Sequence, residues 1–148
     1  MRNLFLLLVC TSITSCFLFK KYEQTNFSYT AGNQSFNIPV VVPKGYMNYR
    51  DSTGEQGTAR IYRYPGGAIL YIAHLNDTIK SFQSIEKENN IPHVHSLGGL
   101  VFKGADKDLR FWREIQRKNF RFGYRNVTAT NEHLFDSATN FMSLQKIQ

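Results

Sequence analysis

Apolar and polar residues alternate along most of this chain, and apolar residues recur at helical intervals in only two places. Strand-like runs occupy residues 26–31 and 35–42, the second closed by the turn signal Pro43-Lys44-Gly45. Residues 49–57 are polar and read as a loop. Two β-rich runs, 58–64 and 68–74, flank Gly66-Gly67. A primed two-residue turn there would set Tyr64 opposite Ile69, Tyr62 opposite Tyr71 and Ile61 opposite Ile72. The second of these runs is apolar on both faces, which predicts a place at the centre of a sheet with cover on each side.

Asn76-Asp77-Thr78 offers helix caps, and Ile79, Phe82 and Ile85 follow at a helical interval until Asn89-Asn90-Ile91-Pro92 stops the run. Residues 98–104 then read as a strand and 105–108 as a turn. A second hairpin is expected from 109–116 and 120–127, with Ile115 facing Phe120, Glu114 facing Arg121, Trp112 facing Gly123 and Phe111 facing Tyr124. Arg113 would lie opposite Phe122 on the apolar face, a misfit. Thr130 or Asn131 can cap a last helix carrying Leu134, Phe135, Ala138, Phe141 and Met142. Hairpins interrupted by one helix and closed by another predict an α+β class, an antiparallel β-sheet built from hairpins with two amphipathic helices packed on it. The element order, opening on the run from Ile38 to Tyr46, resembles the extrinsic photosystem II subunit fold.

The first 16 residues follow a different logic. A short positive start, Met1-Arg2-Asn3, leads into an apolar run and then into small hydroxylated residues, the order a secretory signal requires. The run ends in Ile13-Thr14-Ser15-Cys16, which resembles the lipobox of bacterial lipoproteins. That resemblance implies cleavage after Ser15 and acylation of Cys16, with residues 1–15 a signal peptide, 16–25 a lipidated tether and 26–148 a single globular domain. Phe17 after the cysteine resembles lipoproteins sent on to the outer membrane of a Gram-negative cell envelope. Lys20-Lys21 oppose export under the positive-inside tendency. An uncleaved helix over 4–19 would be 16 residues long, short of the ~20 that a bilayer core needs.

Composition sharpens this picture. Hydrophobic residues make up 42% of the 148 and aromatics 14%, far from the signature of a disordered chain. The two cysteines, Cys10 and Cys16, leave a mature body without a second thiol, so packing alone must hold it. Formal charge is +7. Such a charge favours anionic head groups at a membrane surface, and export makes nucleic acid the poorer partner.

Candidate chemistry is sparse. His93 and His95 alternate onto one side of an extended segment and could offer two metal ligands, the basis of an alternative reading as a metal-dependent hydrolase. No third ligand is evident, and the two are more simply loop histidines after Pro92. No nucleophile elbow, phosphate loop, zincin helix or paired-cysteine motif occurs, and neither a catalytic set nor a cofactor is implied. On the expected register, Trp112 stands among Arg110, Arg121 and Arg125 on the outer face of the second hairpin, a surface able to stack on a glycan or seat an envelope protein. Against this, Trp112 could simply cover Gly123 or lie beneath a helix. The combined expectation is a non-enzymatic envelope lipoprotein that binds a partner; a weaker third reading has a small apolar ligand held between helix and sheet.

Overall fold

The computed structural model of the protein describes residues 21–76, 93–95 and 99–144. β1 (Tyr22–Ala31) and β2 (Gln34–Pro43) form an antiparallel hairpin in unbroken register, from Tyr22 opposite Pro43 to Ala31 opposite Gln34. Alternation along β2 sends Ile38, Val40 and Val42 to one face, where they are buried together with Phe27 and Tyr29. β1 thus begins inside the stretch that the sequence suggests as tether.

The remaining described strands make a second antiparallel sheet. In chain order they are β3 (Asn48–Gly54), β4 (Gly57–Arg63), β5 (Ile69–Leu75), β6 (His93–His95), β7 (Gly99–Ala105), β8 (Phe111–Arg117) and β9 (Phe120–Val127). In space they run β3-β4-β5-β9-β8-β7-β6. β5, apolar on both faces, lies between β4 and β9, and Leu70 to Leu75 are all buried. The chain closes with helix α1 (Ala129–Leu144), which packs on β2, β8 and β9. Hairpin and helix together cover one sheet face. There Tyr62, Leu70, Ile72, Ile115, Phe122 and Tyr124 meet Phe27, Val40, Phe135 and Met142 in one core.

This architecture corrects the expectation of an α+β sheet carrying two amphipathic helices. The described residues hold two sheets and one helix, and the helix expected around Ile79, Phe82 and Ile85 falls outside them. On the core face, cover assigned to a helix comes from the β1–β2 hairpin, whose period-two pattern buries one side as well as a helical stripe does. A second correction concerns residues 49–57, read as a loop. Most of them form β3, whose seven residues are all exposed. At an edge, a strand needs no apolar face, because pairing of its backbone with β4 supplies the structure.

One buried cation joins the layers. The Arg60 guanidinium of β4 pairs with both carboxylate oxygens of Asp51 on β3, at 2.5 and 2.7 Å, and donates to the Asn26 carbonyl of β1. Its planar fork suits this three-way role. His74 sits deeper, stacked on Tyr29 at 4.3 Å between ring centroids and edge-on to Phe120 at 5.0 Å, and 6% exposed.

Burial lowers the His74 pKa below its ordinary 6.5, because the imidazolium would lose hydration among apolar rings. The unfolded chain therefore takes up this proton first as pH drops through about 6.5, while the folded chain resists it. Stability contributed at this site is complete above that value and declines below it, until the depressed folded pKa is passed. Urea midpoints of the wild-type protein should fall more steeply between pH 6.5 and 4.5 than those of His74→Phe, which keeps a ring in the stack and removes the titration. Parallel curves would exclude His74 as a contributor.

Candidate functional site

The end of the domain at which β1 begins is built from turns distant in sequence. Pro43 ends β2, and Lys44 N–H donates to the Lys21 carbonyl at 3.0 Å, closing the hairpin. The Tyr64 hydroxyl donates to the Pro43 carbonyl at 2.9 Å and so fixes this loop against the larger sheet. Beside it the β4–β5 connection, residues 64–68, closes with Tyr64 N–H on the Ala68 carbonyl at 2.8 Å, with Gly66 and Gly67 at φ of 72° and 79°. These values favour glycine.

Between β8 and β9 the register shifts, so that Trp112 faces both Arg125 and Asn126. This is a β-bulge, and Asn126 takes it in the left-handed conformation, φ 58°. The bulge aims the Asn126 amide at the Gly66 carbonyl, 3.2 Å away. α1 starts next, with the Thr128 carbonyl accepting from Asn131 and Glu132 N–H, both at 3.0 Å.

These pieces enclose a cavity of about 220 Å³. Tyr64, Ala68, Leu134 and Phe135 form its apolar part, and Lys44, Arg110, Asn126 and Asn131 supply cations and amides. Among the described residues, no carboxylate, imidazole or thiol lines it. Such a lining can hold an anionic or hydrogen-bonding group by its donors while apolar walls exclude water.

Of the residues singled out from sequence, Arg110 lines this cavity, and the other three stand elsewhere. Trp112 is half-buried over Gly104 of β7, where a Cβ would come within 2.9 to 3.0 Å of the indole. Arg125 flanks the bulge. Arg121 is buried at 4% exposure and spends one nitrogen on the Lys118 and Phe120 carbonyls, at 3.0 and 2.8 Å. Five residues of extended chain, about 17 Å, separate Arg121 from Asn126, the first β9 residue of the cavity. Trp112, Arg121 and Arg125 nevertheless share the face of the β8–β9 pair turned away from the core, around Glu114 and Tyr71, and Arg110 alone belongs to the cavity.

The expected Glu114–Arg121 pairing becomes a diagonal one: Arg121 stands opposite Gln116, where burial disfavours its cation and the nearby Glu114 charge favours it. Glu114 stands opposite Gly123 and, 1% exposed, accepts from the Tyr71 hydroxyl at 2.6 Å and the Gln116 amide at 2.7 Å. Burial, then the adjacent Glu114 charge, hold Tyr71 well above the ordinary tyrosine range, so it remains a donor.

His93 and His95 occupy β6, paired with Val101 and Gly99. His74 on β5 lies four strands away, about 19 Å at ordinary strand spacing, and His133 is exposed on α1. Among the described residues no group of three or more His, Cys, Asp or Glu is placed to hold a metal ion. Cys16 lies outside the described residues.

Lys44, Asn126 and Asn131 join the cavity without a site signal of their own, Lys44 reading from sequence as part of a turn and Asn131 as a helix cap. The available signal was three turn motifs, at 43–45, 65–67 and 125–128, whose convergence depends on a register the sequence does not state. No protein-family model, curated protein or solved structure matches the chain, so the resemblance to the extrinsic photosystem II fold gains no support.

Proposed function

We propose that this protein is a membrane-anchored extracytoplasmic lipoprotein, held to a bacterial envelope by acylated Cys16, whose small β-rich body works as a non-enzymatic binding module. The observation that carries the reading is the leader ending in Ile13-Thr14-Ser15-Cys16. It is supported by where the body begins. Tyr22 starts β1 at the cavity end of the domain, so six Cα-to-Cα steps, at most about 20 Å, connect the anchored residue to the site. No described helix is long and apolar enough to cross a membrane, and the reading requires none.

The cavity is the binding element we assign to this module. At about 220 Å³ it is smaller than pockets that enclose whole drug-sized ligands, roughly 300–1,000 Å³, and suits one protruding group of a larger partner.

Intact mass of protein extracted from membranes tests the anchor. The expected species begins at Cys16 and carries diacylglyceryl and acyl groups, and Cys16→Ser should leave processing and lipid attachment undone. Two or more chains hold a protein firmly, at about 0.8 kcal/mol for each buried methylene. An unacylated native chain, or a Cys16→Ser variant that is still processed and acylated, would overturn the reading.

A further inference from the structure

We infer that the cavity end of the domain docks on the bilayer surface, with Leu109 and Met47 entering the interface and the cavity receiving an anionic lipid head group. This rests on the anchor proposed above and adds an orientation and a ligand class to it.

Four observations converge. The chain enters at this end, and Lys20-Lys21 follow the anchored cysteine closely. Two of the most exposed large apolar side chains stand here, Leu109 at 73% and Met47 at 62%. Met47 precedes β3 and Leu109 lies between β7 and β8, so they flank the end from opposite sides of the sheet, about 20 Å apart, with the cavity between them. The cavity itself presents Lys44 and Arg110 and, among the described residues, no carboxylate.

Leu109 is displayed by construction. Its backbone sits at φ 54°, a left-handed conformation unusual for a bulky residue. Neighbouring hydrogen bonds hold the loop there: Asp106 N–H donates to the Arg110 carbonyl at 2.9 Å, Leu109 N–H donates to the Asp106 carbonyl at 3.1 Å, and an Asp106 carboxylate oxygen accepts from Asp108 and Arg110 N–H, both at 2.9 Å. Asp106 thus directs one carboxylate oxygen into its own loop. Met47 is pinned likewise, its N–H donating to the Arg63 carbonyl at 2.7 Å. Two rigidly offered apolar residues around a cationic cavity, on a short leash to the membrane, match a lipid interface in shape and charge.

Because the mature body has no thiol beyond the acylated Cys16, one engineered cysteine gives a unique label. Lipidated protein carrying Leu109→Cys, Met47→Cys or, at the far end, Asn33→Cys would bear a nitroxide in vesicles of phosphatidylethanolamine and phosphatidylglycerol. The ratio of collisions with oxygen to collisions with a water-soluble nickel chelate should be at least threefold higher at Leu109 and Met47 than at Asn33. It should fall toward the Asn33 value in phosphatidylcholine vesicles or with Lys44→Glu/Arg110→Glu. Acylated protein whose Leu109 and Met47 labels are as aqueous as Asn33 would overturn the docking and leave the anchor standing. Equal ratios in both vesicle types would overturn the head-group assignment. A starting protein without acyl mass would overturn the anchor and the docking with it.

Discussion

Gly123→Ala should cost the domain about 3 to 5 kcal/mol, a large share of the roughly 5 to 15 kcal/mol by which ordinary domains are stable. Gly123 lies on β9 between β5 and β8, and the Tyr71 ring passes directly over it. A Cβ there would meet the Tyr71 hydroxyl oxygen at 2.3 Å, its Cζ at 2.4 Å and the Arg113 carbonyl at 2.6 Å. The ring cannot simply swing aside, because its hydroxyl satisfies Glu114, which is 1% exposed and would be left with one fewer donor. The carbonyl belongs to the β8–β9 ladder and moves only with it. Gly54→Ala is the control: nothing lies within 4 Å of its Cβ, and the change should stay within about 0.5 kcal/mol. Urea midpoints of the two variants decide, and similar values would show that the sheet accommodates the methyl group.

Asp136→Ala should destabilise by about 2 to 3 kcal/mol. One carboxylate oxygen of this α1 residue accepts from the Tyr124 hydroxyl at 2.8 Å and from Arg113 at 3.2 Å. Burial first, and then Asp136 itself, push the Tyr124 hydroxyl far above its usual range, so it is a committed donor, 1% exposed, that would lose its acceptor. Arg113 would keep the Asp136 carbonyl, Thr139 at 3.2 Å and Asn140 at 2.9 Å, which limits the loss. Adding Tyr124→Phe to Asp136→Ala should recover about 1 kcal/mol, since removing both partners costs less than stranding one. No recovery would assign the cost to Arg113 alone.

These two sites show where the sequence was legible. The second hairpin lies two residues away from the register its turn suggests, with Ile115 facing Phe122 and not Phe120. A slip of two preserves faces, so Arg113 still lay on the apolar side and still looked wrong there. Its partners are 23 to 27 residues away on α1, beyond the reach of local pattern. The first hairpin slipped by one: Tyr62 faces Leu70, where Tyr71 was expected, because Pro65 and Gly66-Gly67 make a longer connection than a two-residue turn. A slip of one exchanges faces, and it hid the approach of Tyr71 to Gly123. β5 was legible because apolar residues on both faces fit a central strand. The cavity was not, since each of its walls is an ordinary turn until the fold gathers them. Trp112 covers Gly104 on β7, a long-range neighbour that the register of its own hairpin cannot reveal.

The β1–β2 pair shares no paired strand with the seven-stranded sheet in the described residues, and Arg60 and side-chain packing join the two. The hairpin therefore shares a core with the larger sheet but, among those residues, no backbone ladder. Amide protons of β1 and β2 should accordingly exchange with solvent ahead of those in β5 and β9, which have paired strands on both sides.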